Sequence, residues 1–464
     1  MTTPVYPSKR FYAAGFKLGS AWGDAVALGT TNGILIESDG NPSLKQPYNA
    51  HEDIDAIMPK DGDLGPIAAI DFSPDYSERY DPGPLGSMIA ALFGTSPAPT
   101  PAPGKLYTVS AANNKIDFDQ GGESELHATV ASLTTYTGAT LATAIAFALN
   151  AVQGVSPTLV CSYSATTGKF TISQATGELN LLWESGTNTL TNIATLCGYS
   201  KTGDDTGALT YTSDTETVGV YKHVMDWADY ISLFGTFAVE RPGTILEVPS
   251  AMPMKYNLKV AGGLLKGSIG LRGDTVVVVG ATNTDSEMTA LTYRDKSNRI
   301  KFGHGVVRMN AEADGALDSN DVLEVSDIDI AYERMIDDVH AAGSDSIILP
   351  REKGFKMTVK VTLPRDSAAN QAYLATFLAM TAQKMDITFT SPVVAGSGLY
   401  YSRTYAFPRL KFTEPPVAPL ADIMTTVLTG EAEESIAEGG PTGMTGHYRP
   451  YIEAVNLQST GYLA

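Results

Sequence analysis

The chain has 464 residues, 43% of them hydrophobic and 18% charged, with a formal net charge of −19. This composition excludes a disordered protein and is long enough for two or more domains. It also excludes a protein that grips nucleic acid, because phosphate binding needs clusters of Lys and Arg that the sequence lacks; an acidic surface instead serves solubility, or lets DNA pass without sticking.

The N-terminus runs through Pro4 and Pro7 into Lys9-Arg10 with no apolar stretch behind it. No secretory signal is therefore expected, and the chain is expected to begin in a cytoplasm. Gly19-Ser20-Ala21-Trp22-Gly23 marks a tight turn, and Thr31 to Glu37 is a candidate strand. After Asp81-Pro82-Gly83-Pro84, residues Leu85, Met88, Ile89 and Leu92 fall at helical spacing, predicting a helix with one apolar face packed on a sheet.

Thr95 to Gly104 contains Pro97, Pro99, Pro101 and Pro103. Repeated proline removes backbone donors and favours polyproline II, so this stretch is expected to be a semi-rigid spacer. It divides the chain into a first part (1–94), the linker (95–104), an inserted module (105–214), a second part (215–431) and a C-terminal extension (432–464). Within the module, Ile116 to Asp119 and Leu126 to Val130 read as strands and Ala139 to Val152 as a helix too short and polar to span a membrane. A hairpin follows, Thr158 to Tyr163 with Lys169 to Ser173, which makes the module a small α+β domain. Its Cys161 and Cys197, the only cysteines, read as two buried thiols, with a disulfide as the alternative.

In the second part, Met254 to Val260 and Phe355 to Leu363 alternate apolar and polar residues with period two, as antiparallel strands with one wet face do. Further candidate strands are Thr275 to Val279, Arg299 to Phe302 with Val306 to Met309, Val325 to Ala331, Met385 to Phe389, Tyr405 to Phe412 and Ile423 to Thr429; a helix is expected from Ser367 to Gln383. The fold class is mainly β with few helices.

Motifs that carry chemistry are sparse. His51, His127, His223, His304, His340 and His447 stand singly, without the spacing of a zinc motif, and neither a Walker loop nor a dinucleotide fingerprint is present. Asp337-Asp338-Val339-His340 reads as a solvated loop rather than a metal site. Asp327 and Asp329 share one side of a strand, which fits acid–base work but fits the polar face of a half-buried strand better. No catalytic, cofactor or metal residues are assigned.

The run from Glu247 to Ser268, including Met254-Lys255-Tyr256-Asn257-Leu258-Lys259-Val260-Ala261-Gly262-Gly263, resembles the middle of major tail tube proteins of long-tailed bacteriophages. So do Val325 to Arg334, Ile347-Ile348-Leu349-Pro350 and the alternating strand and helix that follow. The resemblance implies a β-sandwich or split barrel with a flanking helix, six copies of which close a shared β-barrel around a channel. Rings stack into a hollow tube, and closure removes exposed strand edges. Implied partners are further copies of the chain, the tail terminator, the tape-measure protein, baseplate or tail-tip proteins, and phage DNA passing without specific binding; the implied location is the virion tail, without membrane insertion. Asp327 and Asp329 then become candidate lumen residues, forming acidic rings if their strand lines the channel. The module resembles a small domain of other phage tail and fibre proteins and would sit outside the tube. A capsid or head-decoration protein and a bacterial surface filament subunit are the alternatives.

Overall fold

The computed structural model describes residues 13–464 except 20, 45–47, 51–61, 65–69, 122–123, 133, 153, 230–232, 262, 279, 295–296, 341–346, 366–370, 397, 417–424 and 438. The predicted features at the N-terminus through Arg10, Ser20 of the predicted turn, the start of the predicted helix at Ser367, and Ile423 lie outside the described residues.

The first part holds β1 (Ala13–Leu18), β2 (Tyr48–Ala50), β3 (Gly62–Leu64), β4 (Ile70–Phe72), β5 (Asp75–Ser77), α1 (Pro84–Phe93), β6 (Gly94–Thr95) and β7 (Thr100–Pro101). The expected strand at Thr31 to Glu37 is instead a 3-10 turn, Thr30–Asn32, followed by isolated bridges at Gly33 and Ser38. The Asn32 side chain accepts from the Gly29 N–H at 2.7 Å, and this local bond competes with extended backbone. Helix α1 is buried on nearly every side rather than along one face; only Ser87 is partly exposed. Its far side is covered by the C-terminus, where the Tyr462 ring lies so close to Gly86 that a Cβ there would sit 2.4 Å from it.

The module comprises β8 (Leu106–Val109), β9 (Lys115–Gln120), β10 (Leu126–Thr129), β11 (Thr134–Thr137), α2 (Gly138–Asn150), β12 (Leu159–Ser164), β13 (Lys169–Gln174), β14 (Leu179–Leu181), α3 (Ala194–Cys197), β15 (Asp205–Ala208) and β16 (Thr210–Thr212). Thr137 caps α2 through the Thr140 N–H, and Leu141, Ala142, Ile145, Ala148 and Leu149 form its buried face. These residues join Phe118, Phe170, Trp183 and both cysteines in a core separate from that of the main sheet. The cysteines are free thiols.

The Pro-rich stretch is not a free spacer. Residues of β6 and β7 pair with β17 (Tyr221–Trp227), and the Ala102 N–H donates to the Val220 carbonyl at 2.8 Å. Proline tolerates such a place because a sheet edge leaves the donors it lacks unneeded.

The second part continues with β18 (Gly235–Arg241), β19 (Thr244–Ala261), β20 (Leu264–Gly273), β21 (Val277–Val278), α4 (Asp285–Ala290), β22 (Gly305–Ala311), β23 (Val322–Leu323), β24 (Asp327–His340), β25 (Ile347–Leu363), α5 (Gln371–Leu378), β26 (Gln383–Gly396), β27 (Leu399–Phe412), β28 (Thr426–Glu433) and β29 (Tyr451–Asn456). The alternating segments are thus parts of longer strands, whereas Arg299 and Lys301 make only isolated bridges. The expected C-terminal extension is integral: β29 lies between β17 and β27.

The fold is mainly β, as its periodicity predicts. Among the described residues, eighteen strands form one antiparallel hydrogen-bonded system wrapped around a core that includes Phe16, Tyr76, Leu92, Tyr256, Ile330, Val359 and Tyr405. Among the described residues the pairings do not close it into a barrel within one chain.

Candidate assembly surface

Strands β20, β19, β24, β25 and β28 lie side by side, with one face in the core and one in solvent. Along β24, Ile328 and Ile330 are 1% exposed while Asp327 and Asp329 face out, as the period-two pattern requires. The outward face carries Lys255, Asn257 and Lys259 on β19, Glu333 on β24, and Lys356, Thr358, Lys360 and Thr362 on β25.

The register decides the electrostatics of this face. Asp329 is paired with Lys259 on one side and Lys360 on the other; Glu333 is paired with Lys255 and Lys356. Lys255 reaches Glu333 at 2.8 Å. Asp329 therefore sits in a lattice of alternating sign rather than in a purely acidic stripe, although the whole chain is strongly acidic, while Asp327 is paired with Thr362. Beside Asp329 an open depression of about 570 Å³ is lined by Glu37, Tyr76, Lys259 and Lys266, among others. Lys266 and Ser77 hold the Glu37 carboxyl below its ordinary range by hydrogen bonding.

Beyond this face, β24 and β25 continue as a two-stranded arm. β19 pairs with β24 only through Glu333, and β28 pairs with β25 only from Thr358 onward. The Asp337-Asp338 pair on the arm is structural: Asp338 accepts two bonds from Arg272 at 2.7 and 2.8 Å, and Asp337 meets Lys353 at 2.9 Å. At the base of the arm Arg334, 2% exposed, donates to the carbonyls of Leu92, Phe93 and Ala228, pairs with Glu352 at 2.8 Å and lies over the Trp227 ring. A cation is thereby placed at the C-terminal end of α1, where the helix dipole favours it.

Two polar clusters escape any reading of sequence spacing. In the module, His127 Nδ1 lies 2.8 Å from Asp117 Oδ1 and 3.8 Å from Glu125 Oε1, close enough for the three to share a metal ion. Both carboxylates are already engaged: Asp117 accepts from the backbone and side chain of Asn188, and Glu125 from the N–H and hydroxyl of Thr187. The cluster staples the Thr187-Asn188 loop to the β9–β10 hairpin. The signal was in the register, which places Asp117 opposite His127.

In the main core, Glu78 and Arg403 are both wholly buried, 3.9 Å apart. Tyr256 donates to Glu78 at 2.6 Å and lies 3.2 Å from the Tyr405 hydroxyl. Burial raises the Tyr256 and Tyr405 hydroxyls, and Glu78 raises them further, so both stay neutral. Burial pulls the Arg403 guanidinium down, but the charge of Glu78 3.9 Å away opposes this and keeps it charged. His223, also in the core, donates from Nε2 to the Gln458 carbonyl at 2.9 Å, and its ring packs on Tyr462 with centroids 4.5 Å apart.

No family model matches this chain, and no curated protein is significantly similar to it.

Proposed function

We propose that this chain is a structural subunit of a hollow phage tail tube, polymerising as stacked rings whose channel passes DNA. The observation that supports this most is the five-stranded face of β20, β19, β24, β25 and β28: broad, polar, charge-balanced, and backed by a continuous apolar core. A channel wall for a polyanion needs a wettable surface without unpaired cationic patches, and each lysine named on β19 and β25 stands opposite a carboxylate of β24. Among the described residues no third strand pairs with the β24–β25 arm, which suits contacts between neighbouring copies, since a strand edge is a template for another chain. The resemblance to tail tube proteins over Glu247 to Ser268 falls on β19 and β20, two strands of that face. The module, with its own core, is assigned to the tube exterior.

Purified protein viewed by negative-stain electron microscopy tests this reading. Tubes of stacked rings are expected; closed shells would favour the capsid or decoration class, and dispersed monomers at high concentration would overturn assembly altogether.

A further inference from the structure

We propose that the main fold is one structural unit present twice, and that the seam joining the two units inside the chain is repeated between chains, so that three chains supply six units to a ring. The ring rests on the tube reading above; the duplication rests on strand pairing alone.

The same pairings occur twice in the same chain order. In the first unit β1 pairs with β18, β18 turns through two residues into β19, β19 pairs with β20, and β20 pairs with β4 and β5. In the second, β22 pairs with β26, β26 turns through two residues into β27, β27 pairs with β28, and β28 pairs with β25. Both turns carry a glycine in the left-handed region, Gly243 at φ 87° and Gly398 at φ 77°. Each unit also has a helix between its hairpin arm and its turn pair, α1 in one and α5 in the other. A late strand then pairs with the first half of the long strand: β21 with β19, and β29 with β27.

The arms correspond as well. The second unit has the β24–β25 hairpin. The first has Ser38 bridged to Asp75 and, further out, β2 paired with β3, positions that lie on one hairpin with a one-residue shift. The module enters the first unit only, between α1 and β18.

Inside the chain the two units meet where residues 255–259 of β19 pair with residues 329–333 of β24. Counting from the glycine turns, and setting aside the register shifts along β19 and β27, residues 255–259 of the first unit fall at about 410–414 of the second. There the pairing of β26 with β27 stops at Leu410, and Thr413 and Glu414 are exposed. The counterpart of β24 in the first unit is the segment around Ser38, at the opposite end of the sheet. Each chain thus ends in the two halves of the seam it contains in its middle. Such a head-to-tail contact between different surfaces generates a ring when the rotation closes. The partner is a second copy of this chain, joined by strand addition between residues 410–414 and the Ser38 segment.

Two measurements on the full chain test this. Native mass spectrometry of isolated rings should give three 49.1 kDa chains, and end-on cryo-electron microscopy should show three exterior lobes on a six-unit wall. Because the Thr413 N–H donates inward to Thr429, an extended Glu414 would turn its N–H to the edge that no described strand pairs. Glu414→Pro should therefore abolish ring formation while leaving circular dichroism and melting unchanged. Six chains with six lobes, or rings unaffected by E414P, would overturn the inference and leave the tube intact. Three-chain rings that never stack would overturn the tube and leave the inference standing, whereas a strictly monomeric chain would overturn both.

Discussion

Tyr256 and Tyr332 face each other across the β19–β24 pairing, their rings stacked 5.7 Å apart and 17° from parallel. Both are wholly buried, yet their hydroxyls differ: Tyr256 donates to Glu78 at 2.6 Å, while the Tyr332 hydroxyl has no hydrogen-bond partner among the described residues.

That difference predicts opposite outcomes for one chemical change. Tyr256→Phe leaves a buried carboxylate without its donor and should destabilise the fold by about 1–3 kcal/mol. Tyr332→Phe removes an unsatisfied hydroxyl and should be neutral or slightly stabilising. Urea unfolding of both variants against the parent checks this; equal losses would contradict the hydrogen-bond assignment.

Stability should fall on acidification through His223. Burial, reinforced by Arg403 and opposed by the Gln458 carbonyl, lowers its pKa to about 4, against about 6.5 in an unfolded chain. The folded pKa is the depressed one, so the unfolded state binds the extra proton. The contribution is complete above about pH 6.5 and is lost as pH falls toward 4, by up to about 3 kcal/mol. His223→Gln should flatten that part of the stability–pH profile, measured by thermal melting between pH 4 and 7.

Asp329 stands between Lys259 and Lys360. Asp329→Lys would set three like charges abreast and should cost roughly 1 kcal/mol, since opposed like charges destabilise a strand pair. Salt should recover part of the loss by screening. If the face lines the channel, the same variant should also slow genome ejection, more so at low salt. Unchanged melting at every salt concentration would mean that the register on this face is wrong.

Module removal should leave the main fold intact if the cut respects the stem. Ala102 pairs with Val220 and both are buried with Val218, so Gly104 and Val218 can be joined through a short flexible linker. The shortened chain should stay soluble and assemble into tubes of reduced outer diameter. An insoluble product would show that the module core supports the main sheet.

Several strands with one wet and one dry face were legible, whereas β17 and β29, which also alternate, were not among the expected strands. The alternation around Asp327-Ile328-Asp329-Ile330 predicts the burial of both isoleucines, and the spacing of Leu85, Met88, Ile89 and Leu92 predicts α1. What covers α1 on its other side was not legible, because Tyr462 meets Gly86 from far along the chain. Pro97 to Pro103 suggested a spacer because proline content reports a missing donor, not whether the segment lies on a sheet edge. The charge balance around Asp329 depends on the register of three strands, which composition does not reveal. The repeated pairing order is equally hidden, since the residues that fill equivalent strands differ while their hydrogen bonds are made by the backbone.

The most direct test of the channel assignment uses a single introduced thiol. Both native cysteines are buried with their thiols pushed up by that burial, so Asp329→Cys adds one reactive exposed thiol. A small maleimide should label the D329C protein both as free subunits and in assembled tubes, whereas a maleimide on a large polymer should label only the free subunits. Equal labelling of tubes by the large reagent would place Asp329 on the outer surface and contradict the channel assignment.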